Sequence, residues 1–229
     1  MIDAGTALVV VDVQNDFCAG GSLAVPGADE IVPLVNALAA HFSTVVLTQD
    51  WHPAGHASFA SSHPGRAPFE EVEMPYGPQV LWPDHCVQGQ DGADFHPALE
   101  LSAAQAVIRK GFHHAVDSYS GFVEADGRTP TGLAGYLRER GVGRVVIAGL
   151  ATDFCVNWTA QDAVRGGFEA IVVEEACRAI DLEGSLARAW AAMTALGIRR
   201  ASMAEIAAYS IGPKSGLHFS KNSDAITKS

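Results

Sequence analysis

The sequence has no long hydrophobic run and few basic residues, and each shortage excludes a class of protein. No apolar stretch approaches the roughly 20 residues that a membrane-spanning helix needs. Lysine and arginine number 15 against 26 acidic residues, so the formal net charge is −11 in 229 residues. This acidity argues against nucleic acid and anionic membranes as partners, because both carry negative charge themselves.

Cysteine is also scarce, and the cysteines are widely spaced. They are Cys18, Cys86, Cys155 and Cys177, and no two form a CxxC pair. The first residues, MIDAGTALVVVDVQ, lack the basic start and the cleavage site of a secretory signal. Because disulfide frameworks belong mainly to exported chains, we expect free thiols and a cytoplasmic protein.

Short β-branched runs alternate with helical patterns along the chain. Continuous apolar runs such as ALVVVDV indicate strands that are covered on both faces. The predicted strands are Ala7–Val13, Thr44–Asp50, Ala106–Lys110, Arg144–Leu150, Glu169–Val173 and, more weakly, Ile198–Ala201. The predicted helices are Ala28–Phe42, Thr131–Arg140, Asp153–Arg165 and Glu183–Leu196, two of which are followed by glycine, at Gly141 and Gly166. This alternation predicts an α/β fold with a mainly parallel sheet.

Two long segments, Trp51–Ala104 and Gly111–Pro130, interrupt the alternation. They are rich in Gly, Pro, His and Asp, and long loops in a compact domain usually carry function. No repeat or linker divides the chain, so we expect one domain over residues 1–211. Residues 212–229 are polar and have no helical or strand period, which predicts a C-terminal extension.

Four reactive side chains follow the ends of four predicted strands. They are Asp12, Asp50, Lys110 and Cys155. Taken singly, an aspartate here is a turn residue, a lysine is solvated and a cysteine fills the core. Because parallel strands deliver their carboxyl ends to one edge of the sheet, the coincidence of all four predicts a functional site at that edge.

Cys155 lies where a predicted strand ends and a helix begins. Backbone N–H groups at a helix N-terminus lower the pKa of a thiol and can hold a developing oxyanion. Thr152 and Asp153 are suitable capping residues for this helix. We therefore expect Cys155 to be a nucleophile, with Asp12 as proton acceptor and donor and Lys110 keeping Asp12 ionised.

A second group of polar residues contains one aspartate and several histidines. Asp50, His52, His56 and His85 lie within QDWHPAGHASF and LWPDHCVQG. This set suits a divalent metal such as Zn, Fe or Mn, but surface histidines of a loop would give the same spacing. The remaining loop histidines are interpreted as solvated or hydrogen-bonded residues: His63, His96, His113, His114 and His218.

Phe17, Trp82 and Tyr119 lie near these motifs. Each can be an ordinary core residue. Their position in loops that carry polar motifs also allows a flat hydrophobic pocket that accepts an aromatic ring.

With these residues in view, the chain resembles the nicotinamidase branch of the isochorismatase-like cysteine hydrolase family. The matching segments run in the family's order and cover most of residues 6–177. They are VVVDVQNDFCAGGSLAVPGA, TQDWHPAGHASF, LWPDHCVQG, GADFHPAL, RKGFHHAVDSYSGF and GLATDFCVNWTAQDAVRGG.

The resemblance implies an α/β/α three-layer sandwich around a six-stranded parallel sheet in the order 3-2-1-4-5-6. It implies a catalytic triad of Asp12, Lys110 and Cys155, and an oxyanion hole at the N–H groups of Ala151 and Cys155, with a cis peptide before Ala151. It further implies a ring pocket and a metal set, in which His56 matches a position whose ligand role varies. The pocket residues are Phe17, Trp82 and Tyr119, and the metal ligands are Asp50, His52 and His85.

The activity that the resemblance implies is hydrolysis of nicotinamide, and also of pyrazinamide, through a cysteine thioester in NAD salvage. Some relatives carry His at the position of Phe154, so that part of the pocket can differ. One alternative is another amide hydrolase of the same family, an N-carbamoyl amidase or a ureidoacrylate-type enzyme. A metal-binding protein without turnover is the non-enzymatic alternative. The expected partner is a small-molecule substrate, nicotinamide, and the sequence leaves a homo-oligomer open.

Overall fold

The computed structural model describes residues 2–211, so the predicted extension at 212–229 lies outside the described residues. Within that range the strands are Thr6–Val11 (β1), Val45–Asp50 (β2), Glu71–Met74 (β3), Gly77–Val80 (β4), Ala106–Lys110 (β5), Arg144–Leu150 (β6), Glu169–Arg178 (β7) and Arg199–Ala201 (β8). Six of these form one parallel sheet in the order β5-β2-β1-β6-β7-β8, while β3 and β4 form a separate antiparallel hairpin.

The strand order confirms the expected 3-2-1-4-5-6 arrangement of the six main strands. All six residues of β1 and all six of β2 are buried, as their continuous apolar runs predict for central parallel strands. In β6 the backbone at Gly149 passes directly beside Val11 of β1, and only glycine allows this approach.

The helices cover both faces of the sheet. They are Val32–Ala39 (α1), Leu133–Glu139 (α2), Asn157–Arg165 (α3), Ser185–Ala195 (α4) and Met203–Ile211 (α5). One apolar core lies between the sheet and α1 with α5, and a second lies between the sheet and α2, α3 and α4. The predicted α/β/α three-layer sandwich is therefore confirmed.

Several predicted boundaries differ from the structure for local reasons. β1 ends at Val11 instead of Val13, because Asp12 turns the backbone into the left-handed region with φ 48°. The predicted Ala28–Phe42 helix is a 3₁₀ turn over Ala28–Ile31 followed by α1, which has a proline in its first turn. α3 is preceded by one π-helical turn over Thr152–Val156.

Other differences concern elements that the sequence pattern did not show. β7 continues to Arg178, since Ala176 and Cys177 return to the buried interior after two exposed glutamates. α5 and the β3–β4 hairpin were not predicted; the hairpin lies inside the long Trp51–Ala104 segment. At the end of α3, it is Gly167 rather than Gly166 that takes the left-handed conformation, with φ 86°.

All four cysteines are buried free thiols, as expected. Among residues 2–211, no helix has both the length and the apolar character needed to cross a membrane.

The close approach at Gly149 yields a stability prediction. A Cβ at Gly149 would lie 2.0 Å from the Val11 carbonyl oxygen, and the backbone there has φ 127°. Gly149→Ala is therefore expected to lower the free energy of unfolding by about 3 kcal/mol, measured by urea denaturation. Gly143→Ala is the matched control, because a Cβ at Gly143 meets nothing within 4 Å. Equal midpoints for the two variants would contradict the steric argument.

Candidate active site

The structure gathers the four predicted strand-end residues at the carboxyl edge of the sheet. Asp12 follows β1, Asp50 ends β2, Lys110 ends β5 and Cys155 follows β6. The parallel register of β2 and β5 makes Asp50 and Lys110 direct partners. All four side chains are buried, and Asp12 and Lys110 are 0% exposed.

The Lys110 ammonium contacts all three of the other groups. Its Nζ lies 2.9 Å from Asp12 Oδ2, 2.9 Å from Asp50 Oδ1 and 3.5 Å from Cys155 Sγ. It also donates to the Ser118 carbonyl at 2.8 Å. Burial alone would lower the pKa of Lys110, but the two carboxylates outweigh it and hold that pKa well above its usual value. Lys110 is therefore a permanent cation at the centre of the site.

Asp12 and Asp50 differ although both face the same ammonium. Burial raises the pKa of Asp12, against the opposing effects of Lys110 and of the Thr48 hydroxyl, which donates to Asp12 Oδ1 at 2.7 Å. Burial also acts on Asp50, but His52 and Lys110 prevail and hold its pKa well below the usual value. Asp12 is thus the carboxylate that accepts a proton more readily.

The expected low pKa of Cys155 is not what the structure shows. Burial raises the pKa of the thiol well above its ordinary value, and the opposing charge of Lys110 does not offset this. A hydrogen bond to Asp12 favours the protonated thiol as well. Cys155 is therefore a neutral thiol that has a proton acceptor in contact, rather than a standing thiolate.

The turn that carries Cys155 is also held differently from the expectation. Thr152 and Asp153 make no side-chain cap to this turn. The Asp153 carboxylate instead accepts hydrogen bonds from the backbone N–H groups of Ile180 and Asp181 and from the Ser185 hydroxyl, which ties the turn to the start of α4. The peptide between Leu150 and Ala151 is cis.

Asp50, His52 and His85 form a buried set whose ligand atoms all lie within 4.8 Å of one another. Asp50 Oδ2 is 3.2 Å from His52 Nε2 and 3.4 Å from His85 Nε2. The other ring nitrogens face carbonyl oxygens, His52 Nδ1 at 2.8 Å from Gly111 O and His85 Nδ1 at 2.8 Å from Pro83 O. Each Nδ1 therefore carries a proton, and each Nε2 faces the same carboxylate oxygen. A divalent metal bound among these three atoms would take the Nε2 atoms and the carboxylate as ligands.

Gly111 allows this histidine arrangement. Its backbone has φ 67°, and a Cβ there would lie 2.5 Å from His52 Cε1. A side chain at this position would displace the His52 ring from the carbonyl that orients it.

His56 lies beside this set but its nitrogens are directed elsewhere. Its ring centroid is 4.3 Å from that of His52. Its Nδ1 contacts the Ser58 hydroxyl at 2.8 Å, and its Nε2 faces the carbonyls of His113 and Val116 at 3.0 and 3.2 Å. Burial, reinforced by His52, lowers the pKa of His56 to about 4. These partners give His56 the geometry of a neutral supporting residue.

The three predicted aromatic residues line one pocket next to Cys155. Trp82 Nε1 donates to the Tyr119 hydroxyl at 3.0 Å, and Phe17 packs 5.5 Å from the His85 ring. Phe154 closes the wall, with its ring 4.8 Å from Trp82. The full lining is Phe17, Leu23, Asp50, Trp82, His85, Asp117, Tyr119, Ala151, Phe154, Cys155 and Ile180.

Three supporting residues were not identified from the sequence. Gln14 joins β1 to β2, because its amide donates to Asp50 O at 2.8 Å and accepts from Asp50 N at 2.7 Å. Thr48 holds Asp12. Gln79 donates to both Asp117 and the Tyr119 hydroxyl, which fixes the pocket wall. Gln14 alone had a sequence signal, since it directly follows the predicted strand Ala7–Val13.

The chain is an α/β protein that brings a buried thiol, a lysine and a carboxylate together at the carboxyl edge of a parallel sheet. The model of the isochorismatase domain matches residues 6–205, and the chain belongs to that family. It is 59% identical to a nicotinamidase of Acinetobacter baylyi over 87% of this chain and 94% of the relative. It is 42% identical to a nicotinamidase of Escherichia coli over 87% of this chain and 95% of the relative.

Solved structures agree with these relatives. A nicotinamidase/pyrazinamidase of Acinetobacter baumanii superposes with a TM-score of 0.88 at 57% identity, covering 89% of this chain and 99% of that one. An L. infantum protein solved with nicotinate gives 0.78 at 38% identity, covering 89% and 96%. A Pyrococcus horikoshii pyrazinamidase in complex with zinc gives 0.70 at 37% identity, covering 86% and 99%.

The histidine geometry predicts which substitutions abolish metal binding at Asp50, His52 and His85. His52→Ala is expected to lose the ion, since it removes one of the three converging ligand atoms. His56→Asn is expected to keep it, because both His56 nitrogens already have protein partners. Metal content after dialysis, measured by plasma mass spectrometry, separates the two cases. Equal loss in both variants would make His56 a ligand and would require a different geometry.

Proposed function

We propose that this chain hydrolyses nicotinamide to nicotinate and ammonia, with Asp12, Lys110 and Cys155 as its catalytic triad. The observation that carries the proposal is the position of Lys110, 2.9 Å from Asp12 and 3.5 Å from Cys155, which itself lines the aromatic pocket. The two nicotinamidase relatives, which align with 87% of this chain, support the same substrate. We place the reaction in the cytoplasm, as a step of NAD salvage.

The first half of the reaction forms a thioester. The Cys155 thiol gives its proton to Asp12 as the sulfur attacks the carboxamide carbon. Lys110 stabilises the separated charges, since it contacts both groups. The N–H groups of Ala151 and Cys155 hold the oxyanion. When the C–N bond breaks, Asp12 returns the proton to the leaving nitrogen, and ammonia departs.

The second half restores the enzyme. A water molecule attacks the thioester carbon and gives a proton to Asp12, while the same N–H groups hold the second oxyanion. The C–S bond then breaks, the thiolate takes the proton from Asp12, and the new carboxylic acid loses its remaining proton to solvent and leaves as nicotinate. The raised pKa of Asp12 suits these transfers, because a carboxyl group with a raised pKa takes up a proton from the thiol or from water at a smaller cost in free energy.

Asp50, His52 and His85 would hold the divalent metal ion. One carboxylate and two imidazoles favour zinc, while iron and manganese also accept this ligand set. When bound, the ion supplies a Lewis-acidic anchor for a ring nitrogen and so orients the ring. Pyrazinamide has a ring nitrogen at the corresponding position and is proposed as a second substrate. An N-carbamoyl or ureidoacrylate substrate has no ring for the aromatic walls to hold.

The nucleophile is tested by removing one sulfur. Cys155→Ala is expected to lower kcat/KM for nicotinamide by about 10⁴-fold or more, because no other thiol lines the pocket. Cys177→Ala is the matched control, since Cys177 is also a buried free thiol but lies in β7. Ammonia release measures both. Substantial turnover in Cys155→Ala would remove the thioester from the mechanism.

Ring anchoring is tested with a substrate pair. Benzamide carries the same carboxamide on a ring without nitrogen, so nicotinamide is expected to react better by at least about tenfold in kcat/KM. Chelation of the metal should lower the ratio of kcat/KM for nicotinamide to kcat/KM for benzamide, because the contact that distinguishes the two amides is then lost. Equal kcat/KM for the two amides with the metal-loaded enzyme would contradict anchoring of the ring nitrogen. The metal would then be interpreted as a structural ion that holds the Trp51–Ala104 segment.

A further inference from the structure

A thiol, a carboxylate and an imidazole also converge outside the active site. Cys18, Asp29 and His96 come from three separate segments and place their ligand atoms within 4.8 Å of one another. We propose that these three side chains form a second divalent-metal site that takes zinc or another thiophilic ion. The site is distinct from the set at Asp50, His52 and His85 and shares no residue with it.

The spacing and the ligand types fit such an ion. His96 Nε2 lies 3.4 Å from Asp29 Oδ1, the separation of neighbouring ligands around a zinc ion with bonds of about 2.0–2.3 Å. The second oxygen, Asp29 Oδ2, accepts the Ala19 N–H at 2.9 Å. This bond orients the carboxylate and leaves Oδ1 directed toward His96. Sulfur, nitrogen and oxygen donors together are characteristic of zinc.

The site is buried on one side and open on the other. Cys18 is 2% exposed, whereas the Asp29 side chain is 47% exposed. The three residues line one surface cavity. An ion can therefore enter from solvent, and water completes its coordination.

The proton balance of binding follows from the contacts. Burial, reinforced by Asp29, raises the pKa of Cys18 to about 11, so the metal-free thiol is neutral. The ion replaces the thiol proton, which is released to solvent. An ion bound at His96 Nε2 requires the ring proton on Nδ1, so the hydrogen bond that the Ala98 N–H donates to Nδ1 at 3.2 Å is given up on binding.

An ion at this site would restrain the wall of the ring pocket. Cys18 directly follows Phe17, which packs against His85 with 5.5 Å between ring centroids. Asp16 Oδ2 accepts the N–H of Cys86, the residue after His85, at 2.7 Å. Two short connections therefore join the proposed site to the pocket, and neither includes a group that touches the reacting atoms.

Metal stoichiometry tests the proposal directly. The reduced full chain is loaded with Zn²⁺ and dialysed, and bound zinc is measured by plasma mass spectrometry. The wild type is expected to hold about two equivalents, and His52→Ala, Cys18→Ser and Asp29→Asn about one each. Cys177→Ser, the same change at a buried thiol elsewhere, should retain both. Asp29→Asn is expected to fold like the wild type, because the Asp29 side chain is half exposed, so its loss of one equivalent would not reflect misfolding.

Cobalt identifies the sulfur ligand. Co²⁺-loaded wild type should show thiolate-to-cobalt charge-transfer absorption, which His52→Ala and Cys155→Ala keep and Cys18→Ser loses. A band that survives in Cys18→Ser, or a single zinc equivalent that His52→Ala abolishes, would overturn the second site. Neither readout requires nicotinamide turnover, so this result is independent of the proposed activity.

Discussion

The structure depends on one buried cation. The Lys110 ammonium is fully removed from solvent and lies between the carboxylates of Asp12 and Asp50. Removing one partner of such a buried pair costs about 3–5 kcal/mol, because it leaves an uncompensated charge in the interior. The three groups come from β5, from the end of β1 and from β2, so their attraction fixes the relative positions of three neighbouring strand ends. The site is thus a structural element of the sheet edge as well as a place for chemistry.

The same cation separates two carboxylates into different tasks. Asp50 has two histidines and a lysine around it and remains ionised, which suits a residue that faces a metal ion. Asp12 has the lysine and one hydroxyl, and its burial prevails. The surroundings alone thereby shift the pKa values of two aspartates at adjacent strand ends in opposite directions, which is how acid–base roles are divided in enzymes generally. Cys155 follows the same rule, since burial keeps its proton in place until an acceptor takes it.

The sequence predicted the positions of the reactive groups well because a parallel sheet makes strand ends coincide. Asp50 and Lys110 end their predicted strands, and the register makes them partners. The prediction from the sequence failed where a property depends on burial in the tertiary structure. A helix N-terminus predicts a lowered thiol pKa, but the walls that bury Cys155 come from distant segments. The β3–β4 hairpin was missed because its second strand reads Gly-Pro-Gln-Val, which has no alternating apolar pattern, so Gln79 was missed with it. The interpretation of His96 as a solvated or hydrogen-bonded residue agrees with its contacts to Asp29 and to the Ala98 N–H, but the sequence does not show that Cys18 lies nearby.

β5 lies at the edge of the sheet and pairs only with β2 within the main sheet. Its exposed positions alternate with half-buried ones, and Val107 is 46% exposed. An edge strand opens to solvent at a lower free energy than the central strands do, in fluctuations that leave the rest of the sheet intact. The lysine at the centre of the site is thus carried by one of the sheet's least protected strands. Heat inactivation of this protein would accordingly begin as a local detachment of β5, with amide hydrogen exchange there faster than in β1 or β6.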